Sequence, residues 1–293
     1  MSKIQWTEKT WNPVVGCSKI SPGCKHCYAI REARRMAGNP NPKISSVYEG
    51  LTVRNGTAAA NWSGVVRLVP GRLDAPLHWK KPRMVFVDSM SDLFHESLDF
   101  ITIGRIFNTM ADAYWHTFQV LTKRPERMPE FCHKWMASRG YSFMPKNIWL
   151  GTSVENQAMF DRRVPYLDQI GAAVTFLSLE PLLERVNIEP FLYDTMPVPW
   201  QTQSGRWVIV GGESGTGARP CALEWIGDVV AQCQDAKVPV FVKQLGSFVV
   251  SEHRKDLDGK WAWRAGLKNK KGGDMDEWPE YLRVRQFPEV AHG

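Results

Sequence analysis

Three of the chain's six cysteines fall inside one stretch, "WNPVVGCSKISPGCKHCYA" at residues 11–29, as Cys17, Cys24 and Cys27, while Cys132, Cys221 and Cys233 stand alone. A trio spaced C-x6-C-x2-C is one donor short of the tetrahedral zinc site that closes on four ligands. Cys132 or His133 could complete such a site from a distance; His26, between Cys24 and Cys27, is badly placed to bind the same ion. Three is an odd number for disulfides. Buried thiols also serve as plain packing, an account that suits a Gly- and Pro-containing loop poorly. A fourth reading, open beside the other three, is a [4Fe–4S] cluster, whose irons are held by thiolates. Three thiolates leave one iron open to chelate a small cofactor through oxygen and nitrogen. That arrangement underlies electron transfer to the sulfonium of S-adenosylmethionine (SAM), where the cofactor carries the hard step and the protein supplies orientation.

Other chemistry-bearing residues recur at the ends of apolar runs. "SMSDLFHE" (89–96) offers Ser89, Ser91 and Asp92 to an amine, or Asp92, His95 and Glu96 to a divalent ion; a bare helix start accounts for the last three equally simply. "LTKRPERM" (121–128) places Lys123 and Arg124 where a carboxylate, ribose or phosphate could pair with them, or where a solvated helix begins at Pro125. Ser153 with Glu155 and Ser178 with Glu180 offer hydrogen bonds to hydroxyls. "VGGESG" (210–215) supplies Gly211 and Gly212, which let a ligand approach the backbone, and Glu213, an anion for an ammonium; a plain turn is the alternative. Lys243 and Gln244 end the last apolar run. Solvent at strand ends explains some of these polar groups, and a binding site at the mouth of the fold explains their regularity better.

Those positions require elements to hold them. "MVFVDSM" (84–90), "FQVLTKR" (118–124), "IWLGTSV" (148–154), "VTFLSLEPL" (174–182), "WVIVGGESG" (207–215) and "VPVFVKQLG" (238–246) are compact and rich in β-branched residues. They alternate with helical patterns at 100–115, 125–139, 156–170 and 222–236. Buried strands alternating with amphipathic helices predict βα units on a parallel sheet. Five clear central strands among them, with one in "TWNPVVGC" (10–17), make a count of about six, and the expected fold is α/β, a partial or closed βα barrel. No G-x-G-x-x-G follows the first strand, which disfavours a dinucleotide fold. We expect the barrel over residues 1–248, with an insertion at about 40–80 and a small hairpin at "GVVRLVP", and a polar C-terminal extension at 249–293 containing Trp261, Trp263 and Trp278. In such architectures the site lies at the C-terminal ends of the strands.

Composition bounds the partners. The 293 residues are 43% hydrophobic and 23% charged, ordinary for a packed globular chain. No apolar run approaches the ~20 residues of a membrane span, and the polar start lacks a signal-peptide core. The expected location is the cytoplasm, where cysteines stay reduced. A net charge of +7 favours a polyanion, nucleic acid first, although many basic proteins bind none.

The cysteine stretch resembles the radical-SAM enzymes, departing from their usual spacing by six residues instead of three between the first two cysteines and by His26 in place of an aromatic. Over nearly the whole chain, "WNPVVGCSKISPGCKHCYA", "SMSDLFHE", "FQVLTKRPERM", "LGTSVENQ", "LSLEPLL", "VIVGGESGTGARP", "VFVKQLG" and "GGDMDEWPE" resemble a phage-associated three-cysteine-motif family of unknown function, described as radical-SAM-like. The resemblance implies a [4Fe–4S] cluster on Cys17, Cys24 and Cys27 and SAM as cofactor. It further implies a reductant as partner and contacts to the cofactor from among Ser89, Ser91, Asp92, Lys123, Glu155, Glu180, Gly211, Gly212, Glu213 and Lys243. The expected reaction modifies or repairs a nucleic-acid base or nucleotide. The alternatives are a zinc-stabilised, non-catalytic nucleic-acid-binding phage protein and a metal-dependent hydrolase built on Asp92, His95 and Glu96.

Overall fold

Seven short strands of largely apolar sequence form the main sheet of this computed structural model, which describes residues 4–54, 56, 59–193, 205–254 and 265–289. They are β1 (Lys9–Trp11), β2 (Met84–Val87), β3 (Thr117–Thr122), β4 (Ile148–Ser153), β5 (Val174–Leu179), β6 (Gly205–Gly211) and β7 (Val240–Gln244). They are ordered as numbered, so each strand neighbours the next one in sequence. The chain divides into two compact units, Met1–Gly151 and Thr152–Gly293, with the boundary inside β4. The fold class is α/β, with the parallel strands and intervening helices of a partial βα barrel; the strands number seven where the sequence suggested about six.

In the first unit β1 pairs in parallel with β2, Trp11 opposite Val87, and β2 with β3, Val87 opposite Val120. Helix α1 (Tyr28–Ala37) follows the cysteine loop, α2 (Pro42–Tyr48) follows α1, and α3 (Phe100–Asp112) and α4 (Met128–Arg139) flank β3 in sequence. Helix α3 starts where the Asp99 carboxylate accepts the Thr102 amide at 2.6 Å, an N-cap. It buries Ile103, Ile106, Phe107 and Met110, one face at helical spacing. Phe107 packs edge-on against Phe94, Phe131 and Trp135, the aromatic centre of this unit. Helix α4 ends at Gly140, whose φ of 68° is the left-handed conformation glycine adopts without strain.

In the second unit β5 pairs with β6 and β6 with β7, all parallel. Helix α5 (Gln157–Leu167) is capped by Asn156, and α6 (Leu223–Asp235) precedes β7. Trp207, wholly buried, packs against Phe176, Phe241 and Phe287. Residues 265–289 are irregular but tied down: Val242 donates its amide to Val284, and the buried Trp278 indole donates to Gly272 at 3.0 Å. Trp261 and Trp263 lie outside the described residues.

The 40–80 region differs from the sequence reading in one respect. Arg67–Leu68, in the stretch expected to make its own hairpin, pairs antiparallel with Val14–Val15, while Thr52–Val53 pairs with Asn61–Trp62. Pro13 is the reason Val14–Val15 is free to do so: with no N–H it cannot continue β1, and the chain turns to a new partner.

Candidate metal centre

The cysteine loop is delivered by a continuation of the β1–β2 pairing. Beyond Trp11 the Asp88 amide donates to the Trp11 carbonyl at 2.8 Å, and Val14 donates to the Asp88 carboxyl at 3.1 Å. Gly16 donates to the Met90 carbonyl at 3.0 Å. Gly16 has φ +92°, and a Cβ there would stand 2.1 Å from the Val65 carbonyl oxygen. Only glycine allows this turn, and the turn sets Cys17 beside the ends of β2 and β3. Under the loop lies an apolar floor of Val15, Ala29, Ile30, Ala33, Tyr48, Leu51, Trp62 and Met90, against which Cys17 and Cys27 pack. Four of its members come from α1 and the loop before it, and three from the insertion at 40–80, which thereby supports the cysteines.

All three thiols are free and partly exposed. Cys24 closes a 3-10 turn, Pro22–Cys24, and Cys27 immediately precedes α1. Their electrostatics show mutual proximity, since each of Cys24 and Cys27 raises the thiol pKa of Cys17. Burial is the largest cause and pushes Cys17 up to about 12; Asp92 adds to the rise and Arg124 opposes it. Burial also raises Cys27, opposed by the backbone amides of Ala29 and Ile30 at the start of α1 and by the Lys123 ammonium. Cys17 and Cys27 therefore keep their protons at neutral pH, and a metal must displace them. Soft sulfur donors suit zinc or iron–sulfur chemistry. Among the described residues no three His, Cys, Asp or Glu side chains are grouped as the ligands of a metal ion. Cys132, Cys221 and Cys233 are buried thiols raised by burial alone.

Arg124 organises the rest of the site. Its Nε donates to Glu96 at 2.7 Å, and its Nη1 donates to Asp92 at 3.2 Å and to the Cys17 sulfur at 3.9 Å. Its Nη2 donates to the Ser18 carbonyl at 3.1 Å and the Ser18 hydroxyl at 2.7 Å. Nη1 and Nη2 therefore reach the loop that carries Cys17, while Nε is fixed by Glu96. Asp92 is the anchor: it accepts from the Thr122 hydroxyl at 2.5 Å, from the Phe94 and Lys123 amides at 3.1 and 2.9 Å, and from Arg124. Arg127 ties the segment after Asp92 to the start of α4 by donating to the carbonyls of Phe94, His95 and Leu98. His95 accepts the Ser97 amide at Nδ1, 3.1 Å, which leaves Nε2 carrying the proton, 2.9 Å from the Ser18 hydroxyl. Burial and then Arg124 hold its pKa below the usual histidine value. Asp92, His95 and Glu96 thus surround a guanidinium and a serine.

Of the other residues expected here, Ser89 donates to the Asn12 side chain at 3.0 Å and Ser91 to the Val14 carbonyl at 3.1 Å. Both brace the loop. The Lys123 ammonium is half-buried near Cys27 and has no ion-pair partner among the described residues. The sequence reading missed Ser18, Asn12 and Arg127, whose partners lie far away in the chain. It also missed Asp88, buried at φ 59° with one carboxyl oxygen lacking a hydrogen-bond partner; burial holds its pKa well above the carboxylate range.

The strand ends of the second unit have a different character. Glu155, 0% exposed, takes Arg163 at 2.8 Å, and the same guanidinium nitrogen donates to the Ser153 carbonyl. Glu180 pairs with Lys243 at 2.9 Å. Glu213 accepts the Arg219 amide and Nε at 2.9 Å and Nη2 at 2.6 Å. Gly212 faces no cleft: a Cβ there would meet the Leu245 carbonyl oxygen at 2.2 Å, and one at Gly211 would meet the Gln244 carbonyl at 3.0 Å and Glu180 at 3.2 Å. The glycines let β6 and the chain after β7 touch. Ser178 passes its carbonyl to the Val154 amide at 2.8 Å.

Compared with known proteins, residues 1–278 match the family model described as "Protein of unknown function (DUF5131)". No curated protein and no solved structure matches. Among the described residues no helix is long and apolar enough to cross a membrane.

Proposed function

The chain belongs to the DUF5131 family of unknown function, and from that premise we propose that it is a radical-SAM-type enzyme whose Cys17, Cys24 and Cys27 hold a [4Fe–4S] cluster. The observation that carries this reading is the cysteine loop itself. It holds three accessible thiols on a dedicated apolar floor, with a buried arginine donating to one sulfur. Three thiols are one donor short of the four-ligand shell of a structural zinc ion. A [4Fe–4S] cluster takes one thiolate at each of three irons and leaves the fourth open. When bound, a cluster with one iron not ligated by protein supplies the electron for reductive cleavage of the SAM sulfonium.

The chain's own residues have distinct tasks in this reading. Asp92 and Glu96 fix Arg124, and Arg124 fixes Ser18 and Cys17, so the loop is held from the strand ends behind it. The Arg124–Cys17 contact places a cation against a ligand sulfur, which raises the potential of the group bound there. Lys123, beside Cys27 and without an ion-pair partner among the described residues, is the cation for the cofactor's carboxylate. The partner required is a one-electron reductant. The second unit's paired carboxylates, Glu155, Glu180 and Glu213, hold their own strand ends in shape.

The test is anaerobic reconstitution with iron and sulfide, then addition of SAM and dithionite. The expected product is 5′-deoxyadenosine, lost in Cys17→Ala, Cys24→Ala and Cys27→Ala. Retained formation in any of those variants, or none in the reconstituted parent, contradicts the reading.

A further inference from the structure

The charge of the chain is unevenly divided. Residues 1–151 carry 21 Lys and Arg against 11 Asp and Glu, a net +10, whereas residues 152–293 carry 16 against 19, a net −3. The whole basic excess belongs to the unit that contains the cysteines. Asymmetry of this kind points to a polyanionic partner for one part of a chain.

Within that unit one surface combines the features needed. Helix α1 begins directly after Cys27 and buries Ala29, Ile30 and Ala33. Its other side bears Tyr28, Arg31, Arg34 and Arg35, spaced three and four residues apart, so neighbouring side chains share a face. All three arginines are exposed, and Arg31 and Arg34 have no ion-pair or hydrogen-bond partner for their side chains among the described residues. Arg35 holds Glu32 at 2.7 Å, leaving the face with a net positive charge. Tyr28 is 48% exposed, and its hydroxyl donates to the Ser89 carbonyl at 2.9 Å. The ring is therefore fixed in place with about half its surface open, next to Cys27. Lys19 and Lys25, both exposed, extend the positive surface into the cysteine loop.

We propose that this face of α1 is a binding surface for a single-stranded polynucleotide, with Arg31, Arg34 and Arg35 on its phosphates and a base stacked on Tyr28. Guanidinium groups pair with phosphate oxygens in a planar, bidentate manner. An aromatic ring stacks on any base, which gives affinity without sequence preference. A duplex keeps its bases within the stack, so it offers Tyr28 nothing. The inference names the substrate class of the proposed enzyme and rests on that reading for its role; binding itself requires neither cluster nor SAM.

The test measures fluorescence anisotropy of labelled oligo(dT), oligo(rU) and a DNA duplex with the full-length reduced protein across a salt series. Single strands are expected to bind more tightly than duplex. R31Q/R34Q/R35Q should weaken binding about tenfold or more near 0.1 M salt and flatten the salt slope by about 2, since each phosphate contact contributes about 0.7 on single strands. Tyr28→Ala should cost about 5- to 150-fold and Tyr28→Phe little, because the ring does the stacking. K80Q/K81Q/K146Q removes the same charge from other exposed positions of the unit and should leave affinity within about threefold. Equal losses in the two triple variants, no loss in Tyr28→Ala with its melting temperature retained, or tighter duplex binding would each overturn the proposal. The preference between dT and rU assigns DNA or RNA. Protein that cleaves SAM but binds no oligonucleotide refutes this inference alone, and protein that binds oligonucleotide but takes up no cluster refutes the enzyme reading alone.

Discussion

The two units treat charge at the end of a strand in opposite ways. In the second, each carboxylate has a cation of its own: Glu155 with Arg163, Glu180 with Lys243, Glu213 with Arg219. Charge there is neutralised inside the fold, and the glycines beside it serve backbone packing. In the first, Asp92 and Glu96 share one arginine, and that arginine is turned outward onto a loop of three thiols. The Lys123 ammonium has no ion-pair partner among the described residues, and the basic residues outnumber the acidic ones. The lesson is that polar strand ends are not one class. A closed pair holds shape; a network that ends on a reactive group with unmatched charge beside it is built to hold something else.

The comparison can be broken first at the thiols. Alanine at Cys17, Cys24 or Cys27 should abolish the iron–sulfur chromophore of reconstituted protein. Cys221→Ala should retain it and lose only core packing. Iron content by absorbance and metal analysis decides between these outcomes, and a chromophore indifferent to all four would erase the distinction.

Next comes the buried pair. Arg163→Met takes the Arg163 cation from the buried Glu155 carboxylate, a loss of about 3–5 kcal/mol, measured by denaturant unfolding. Arg124→Lys should cost less stability, because Glu96 is exposed and hydrated. It should shift the midpoint potential of the bound group downward, because the arginine donor to the Cys17 sulfur is lost. A potential unchanged in Arg124→Lys would remove Arg124 from the account.

Two glycines provide a matched test. Gly16→Ala and Gly212→Ala should each destabilise by about 1–3 kcal/mol, since their Cβ atoms would collide with the carbonyls of Val65 and Leu245. Gly16→Ala alone should also reduce cluster retention.

The smallest effects concern protons. Asp88 is pushed upward by burial. The folded state therefore holds a proton that the unfolded chain releases above about pH 4, and stability falls as pH rises through the folded value. Asp88→Asn keeps the contact from Val14 and tolerates the left-handed backbone. It should flatten that pH dependence and raise stability at pH 8 more than at pH 5, read from melts at the two pH values. The raised Cys17 and Cys27 thiols give metal binding the opposite pH dependence: uptake releases protons, so loading at pH 8 should exceed loading at pH 6.5.

Much of the architecture was legible because buried parallel strands are nearly continuous apolar runs. "VTFLSLEPL" and "WVIVGGESG" could hardly be anything else, and the observed strands lie within or beside every run named. The first strand was harder. Pro13 splits "TWNPVVGC", and its two halves take partners some 50 to 75 residues downstream, Arg67–Leu68 and β2, which no local pattern encodes. The thiols were legible from spacing alone. Arg124 could be placed at a strand end but not aimed, since Ser18 and Cys17 lie more than 100 residues earlier. Glu213 looked like a group waiting for a ligand because its cation, Arg219, is hidden behind the turn of "SGTGA". The basic bias of the first unit was present in the sequence throughout, and only the division into units made it visible.

The measurement closest to the central claim is metal and acid-labile sulfide analysis with EPR on protein purified and reconstituted without oxygen. About four irons and four sulfides per chain, with a reduced-cluster signal that changes when SAM is added, are the result this account predicts. One zinc per chain, with no iron taken up and no response to SAM, would contradict it.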